Sequence, residues 1–446
     1  MYEIITDNNK KELINTLVEN LPVFRAKLGA TQDTFAQRVG LTKTTLNHIE
    51  NHKKEMTWNN FITIILLLIQ NEDTKPLVEV MGLYPEDKKL PDVSGIRRRS
   101  AMNFYIMSKD IVVAKWQDND LEVINENLIP LYLKNTGNVP KWLETRAIDC
   151  HRANSRLLKK ALRLSEKDDE STVLSVNAAT ITDNYWIKPI GSDLIYADVR
   201  FDNDYFANLA LTGNYDSFNK AANSETTKTP ELTNIGSFEK CWKLRNGVWW
   251  MYKKANHNEM FSELFVYRLG CELGFRMAEY ERGNGVIKTK DFTDNALVNF
   301  EPAFNILGDD EDYIHSVEML KMICPSAVQD YVKMIFLDTV CANPDRHTFN
   351  FGILRDADTG EVLGLAPNFD NNMALIARGY PKNIKRKNDL LIMLFNELIE
   401  YDENLKKYIP NLSEDLIKRV IKSVGMRVKS KEITEFIMNG YNLIEK

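Results

Sequence analysis

From residue 21 to residue 70, apolar positions recur at helical spacing in short runs divided by breaks. Val23-Phe24-Arg25-Ala26-Lys27-Leu28 ends at Gly29, a helix C-cap. Thr31 caps a helix over Gln32 to Val39, with Phe35, Ala36 and Val39 on one face and Gly40 closing it. Thr42 caps Lys43 to Glu50, whose apolar positions are Leu46 and Ile49. Trp58 to Ile69 is apolar nearly all round, which predicts the buried floor of a helical bundle.

Pro85 to Pro91 reads as a linker, and Ile96-Arg97-Arg98-Arg99 as a solvated basic turn. The period then changes to two over Asn103 to Met107, Ile111 to Trp116 and Leu121 to Ile124, which predicts a small sheet. Arg152 to Leu164 is helical, Ile181 to Pro189 is aromatic and strand-like, and Asn219 to Thr229 is a polar loop. Thr233-Asn234-Ile235 ends a strand before Gly236-Ser237-Phe238, and Cys241 to Leu244 forms the next strand. Asn246-Gly247 is a two-residue hairpin signal, and Val248 to Lys253 follows as a third strand. Alternation places Trp249, Met251 and Lys253 on one face of that strand. Asn258 caps a helix over Glu259 to Leu273. Phe351 to Leu354 and Val362-Leu363 flank Asp356 to Glu361 as a hairpin. Later helices cover Asp389 to Ile399, a Ser413-capped run with Leu416, Ile417, Val420, Ile421 and Val424, and Lys431 to Ile444.

A chain of 446 residues is too long for a single core at ~100–200 residues per domain. Its 44% hydrophobic and 27% charged residues are those of a globular protein and exclude wholesale disorder. The net charge, 57 − 63 = −6, excludes a polycation that coats nucleic acid, so any DNA contact must be local. Between Leu21 and Asn60 six Lys/Arg stand against three Asp/Glu, a local excess of that kind. The five cysteines are scattered and form no Cys-x-x-Cys pair, which predicts reduced thiols and neither a disulfide scaffold nor a zinc site. The start has no signal-peptide pattern and Phe61 to Ile69 is too short to span a bilayer, so the expectation is a cytoplasmic protein without membrane contact.

Two short helices joined around Gly40 make a helix-turn-helix. The run from Leu28 to Asn51 resembles the phage-repressor (Cro-type) family. That resemblance implies a recognition helix starting near Lys43. Lys43, Thr44, Thr45, Asn47 and His48 would face base edges and Gln32 a phosphate of duplex operator DNA, with a homodimer as the usual binding form.

A strand, a small-residue loop, a strand, a tight turn, a lysine-ending strand and a glutamate-bearing helix follow one another in the N-lobe order of a protein kinase. Lys253, with Lys254 as the alternative, would pair with Glu263 or with Glu259, Glu263 being preferred. Asn343-Pro344-Asp345-Arg346-His347-Thr348-Phe349-Asn350 contains Asp-x-x-x-x-Asn, the spacing of a kinase catalytic loop, and Asp370 follows an apolar strand downstream. His347 is read as a packed loop histidine, and Asp309 to Asp312 as a solvated turn. Neither a dinucleotide glycine pattern nor a P-loop occurs.

From about Thr229 onward, and most specifically over Asn-Pro-Asp-Arg-His-x-x-Asn-Phe-Gly, the chain resembles the HipA-like toxin kinases. The resemblance implies an ATP- and Mg2+-dependent Ser/Thr protein kinase with Asp345 as base, Asn350 and Asp370 on magnesium, and Lys253 on phosphate. Gly236 and Ser237 would lie over ATP, and the strand ending Val298-Asn299-Phe300 would hold adenine. Ser237 becomes the candidate for autophosphorylation, and a separate antitoxin chain a candidate partner.

The expected fold class is multidomain: an all-α helix-turn-helix domain followed by an α+β two-lobed protein-kinase-like fold. The expected boundaries are 1–90 for the helix-turn-helix, 95–228 for a mixed linking region and start of the N-lobe, 229–300 for the N-lobe and 301–446 for the C-lobe. Two alternatives stand beside this reading: a DNA-binding regulator whose kinase-like domain senses nucleotide, and a lipid or small-molecule kinase.

Overall fold

The computed structural model describes residues 7–69, 71, 74–83, 103–149, 152–164, 168–224, 226–378 and 383–445. The linker at 85–91, the basic run at 97–99 and Cys150 lie outside them. The chain divides into two units, Met1–Ala101 and Met102–Lys446. Among the described residues no helix is long and apolar enough to cross a membrane.

Among its described residues the first unit has five helices: α1 (Asp7–Lys27), α2 (Gln32–Arg38), α3 (Lys43–Glu50), α4 (Trp58–Ile69) and α5 (Lys75–Val80). Thr31 Oγ1 accepts from the Thr34 N–H at 3.2 Å and Thr42 Oγ1 from the Thr45 N–H at 3.1 Å, so both expected caps form. Gly29 and Gly40, at φ +59° and +69°, turn the chain where a side chain would be strained. Leu17, Leu21, Phe24, Phe35, Leu46, Ile49, Phe61, Ile64 and Leu68 make the core. The α4 helix departs from expectation. Only its Phe61, Ile64, Ile65 and Leu68 side is buried, while Ile62 and Leu66 are exposed, because the other helices of the unit cover one face of it.

The second unit is mixed α/β, with three antiparallel sheets. The first, in order β3-β2-β1-β4, is built from β1 (Phe104–Ser108), β2 (Ile111–Gln117), β3 (Asp120–Val123) and β4 (Tyr185–Pro189). The second, in order β5-β6-β8-β7, takes β5 (Lys240–Arg245), β6 (Val248–Lys254), β7 (Tyr280–Arg282) and β8 (Val286–Lys290). The third, in order β11-β10-β9, joins β9 (Val298–Pro302), β10 (Gly352–Asp356) and β11 (Val362–Leu365). The C-terminal helices Ala327–Cys341, Leu390–Tyr401, Glu414–Val424 and Ser430–Asn442 pack with the His257–Glu272 helix around one large core.

Three local expectations are corrected. Asn214 caps a helix over Tyr215–Ala222, so the polar stretch from 219 begins inside a helix. The chain before Gly236 is a 3-10 turn, Pro230–Thr233, because Thr229 caps it and Pro230 cannot donate to a sheet. The 257–272 helix starts at Asn256, whose Oδ1 accepts from the N–H of both Asn258 and Glu259, with Glu259 reaching back to the Asn256 N–H. The Asp309 to Asp312 run is an exposed turn as expected, and its Asp312 also caps the Tyr313–Ile323 helix through the His315 N–H.

Candidate active site

The β5–β6 hairpin closes through Asn246 and Gly247 at φ +51° and +79°, both left-handed, as a tight two-residue turn between right-twisted strands requires. Its register pairs Lys240 with Lys253 across the strands. Both line a cavity of about 310 Å³. The loop from Asn234 to Glu239 crosses the same cavity and is tied by the buried Arg152, which donates to the Asn234 carbonyl at 2.8 Å and to the Lys240 carbonyl. Gly236 has φ +104°, a backbone conformation that strains any residue with a side chain, and it lies directly over the Lys240 ammonium. Ser237 is exposed on that loop.

Lys253 is buried, and its Nζ lies 2.6 Å from Asp370 Oδ1. This corrects the expected Lys253–Glu263 ion pair. Glu263 Oε1 instead accepts from the Asn371 N–H at 2.7 Å, on the turn that carries Asp370. Glu259 is spent in the helix cap, and Lys254 faces away to pair with Glu239 at 3.1 Å. Burial opposes ionisation of Asp370, but the Lys253, Lys240 and Arg346 charges more than offset it and hold the carboxyl below its ordinary range. In Glu263 burial and the Asp370 charge win, and its carboxyl is pushed up.

Arg346 fastens the 343–350 loop to the Asp370 turn. Its guanidinium donates to Asp338 at 2.8 and 3.0 Å, to the Asn350 carbonyl at 2.6 Å and to the Phe369 carbonyl at 2.7 Å. It also reaches Asn368 Oδ1 at 3.0 Å and Asn371 Oδ1 at 2.7 Å. Within the loop Asn350 Nδ2 donates to the Asp345 carbonyl at 2.8 Å, which turns the amide oxygen, Oδ1, away from that bond. Asp345, Asn350 and Asp370 all border the cavity with Lys253 and Gly236. His347 borders it too, with its ring edge-on to Phe349.

The apolar end of the cavity is lined by Phe292, Phe300 and Phe369, whose ring centroids are 5.5–5.6 Å apart. The expectation for β9 changes in detail. The Phe300 N–H donates to the Thr182 carbonyl at 2.9 Å, and Asn299 Oδ1 accepts from the Asn184 N–H. Phe300 therefore offers a ring and not a backbone donor. The aromatic stretch from Ile181, for which the sequence gives no chemical role, covers the strand edge and walls the cavity.

Lys240, Tyr280 and the fastening role of Arg346 escaped the sequence reading. Lys240 was within reach of it, since 240 and 253 stand equally far from the Asn246-Gly247 turn and must face each other. Burial first, then the Lys253 and Arg152 charges, lower Lys240 to about 7. An anion entering the cavity favours the ammonium form. Below pH 7 that form is already present; above it a proton must be taken up. Affinity for inorganic triphosphate should therefore fall by up to about tenfold per pH unit from 7 to 8.5. Calorimetry on wild type and Lys240→Met checks this, and an equal slope in both would assign the effect elsewhere.

In the first unit Lys43, Thr44, Asn47 and His48 are exposed on α3, while the Thr45 hydroxyl bonds Thr42 at 2.9 Å within the cap. Gln32 donates to Glu50 at 2.5 Å, accepts from Asn47 at 3.4 Å, and so is joined to the Arg25–Glu50 ion pair.

No family model and no curated protein matches the chain. Solved structures similar to it include the Helicobacter pylori proinflammatory kinase CtkA, at 17% identity and a TM-score of 0.37, over 46% of this chain and 90% of that one. A chain of the Shewanella oneidensis MR-1 toxin–antitoxin system HipA, HipB and operator DNA complex is similar at 12% identity and a TM-score of 0.44, over 76% of this chain and 97% of that one.

Proposed function

We propose that this chain is an ATP- and Mg2+-dependent Ser/Thr protein kinase of HipA-like toxin type, with a DNA-binding helix-turn-helix fused ahead of it. The observation that carries the reading is the meeting of Lys253, Asp370, Asn350 and Asp345 on one cavity that also has a glycine loop and an aromatic end. Lys253 and Lys240 place positive charge where a triphosphate would lie, and the three phenylalanines offer a surface for a flat base.

The donor set fits magnesium. Asn350 Oδ1 and the Asp370 carboxylate are hard oxygen donors that border the same cavity. A bound magnesium ion would supply charge neutralisation on the phosphate oxygens. Asp345 orients the acceptor hydroxyl and takes its proton, while the phosphoryl group passes from ATP to the serine or threonine oxygen. The two phosphate-side lysines stabilise charge on the leaving ADP. On α3, Lys43, Thr44, Asn47 and His48 form the surface that reads operator DNA, as a homodimer on paired half-sites. A separate antitoxin chain is the proposed further partner.

Incubation of the full chain with ATP and magnesium should yield ADP and a phosphate on Ser237, located by mass spectrometry. Turnover with Ser237 unmodified would remove the autophosphorylation. Bound ATP without ADP formation, even with bacterial lysate added as a source of acceptors, would favour a nucleotide-sensing regulator.

A further inference from the structure

Asp370 has φ +59°, a left-handed conformation that costs a non-glycine residue about 1 kcal/mol or more. A carboxylate on such a turn keeps its aim only if other groups hold the backbone. On one side Arg346 takes the Phe369 carbonyl at 2.7 Å. On the other, the Asp370 N–H donates to the Tyr280 hydroxyl oxygen at 2.9 Å, and the Asn371 N–H donates to Glu263 at 2.7 Å. Thr289 stands opposite Tyr280 on β8, and the Glu263 charge acts on the same buried hydroxyl. Tyr280 is 8% exposed, and its ring packs at 5.7 Å from that of Tyr267.

We propose that Tyr280 is a positioning residue for the metal-binding carboxylate: its hydroxyl holds the Asp370 turn to the sheet edge, beside the Glu263 bond to the Asn371 N–H. The inference rests on the kinase reading above. The hydroxyl oxygen accepts from the Asp370 N–H, so Tyr280→Phe removes that link while leaving the ring packing. The turn can then relax toward ordinary backbone, and the carboxylate loses its aim. Phosphate-side contacts through Lys253 and Lys240 remain.

The test is calorimetric titration of the full chain with a non-hydrolysable ATP analogue, without metal and over a magnesium series. In wild type, magnesium should tighten analogue binding. In Tyr280→Phe the magnesium half-saturation should rise about tenfold, the scale of losing a hydrogen bond beside a charged group, with metal-free affinity within about twofold of wild type. Tyr267→Phe should match wild type. Should Tyr280→Phe fail to fold, Tyr280→Met removes the same hydroxyl with a flexible side chain that can refill the space, and should shift the half-saturation in the same direction. An unchanged magnesium half-saturation in folded Tyr280→Phe, or in Tyr280→Met where that variant stands in, overturns the positioning role while leaving the kinase reading intact. Wild-type binding indifferent to magnesium overturns the kinase reading and this inference with it.

Discussion

Replacing Arg346 by leucine is expected to lower the unfolding free energy by about 3–5 kcal/mol, measured by urea unfolding. The Arg346 and Asp338 side chains are 3% and 0% exposed, so truncating the guanidinium leaves a carboxylate inside the protein with only Asn343 Nδ2 to bond, at 2.8 Å. Two carbonyls, from Asn350 and Phe369, lose their donor in the same step. The double variant Asp338→Leu/Arg346→Leu should be less destabilised than the sum of its singles, because it removes the stranded charge together with its partner. A loss below about 1 kcal/mol for Arg346→Leu would show that the two loops are held together by other contacts.

Asp345→Asn is expected to behave in the opposite way. Turnover should fall by about 10²–10⁴-fold, the usual contribution of a general base. Stability should stay within about 0.5 kcal/mol of wild type. The reason is geometric. Asp345 is held by its backbone, through the Asn350 amide on its carbonyl at 2.8 Å and a 3.4 Å bond from its N–H to Asn343, whereas no hydrogen bond to its carboxylate is present among the described residues. A fall in kcat with the KM for ATP nearly unchanged would place the loss in the transition state. Equal losses of stability and activity would make Asp345 a structural residue instead.

The parts of the molecule legible in the sequence are those set by local chemistry. Thr31, Thr42 and Ser413 announce their helices through hydroxyl caps, and Asn246-Gly247 fixes the β5–β6 register and with it the face of Lys253. What sequence spacing could not show is the choice between partners that only the tertiary fold brings together. Lys253 lies close enough to feel both Asp370 and Glu263, and the pairing turns on the Asp370 turn, whose N–H groups claim Glu263 and Tyr280 first. Tyr280 sits on a three-residue edge strand with no periodic pattern to mark it. The covering of β9 by residues 182–184 joins segments more than a hundred positions apart, and no local signal encodes such a contact. Exposed Ile62 and Leu66 show the same limit from the other side, since an apolar run reports burial potential and not which face finds a neighbour.

Phosphoryl transfer is measured most directly as label transfer from γ-labelled ATP. Purified wild type and Asp345→Asn would be compared side by side with magnesium or with EDTA, and with bacterial lysate supplied as acceptor. The predicted result is label on protein serine or threonine for wild type with magnesium alone, and none for the variant or after chelation. Label of equal intensity in wild type and Asp345→Asn, or no label in any lane while ATP remains bound, would contradict it.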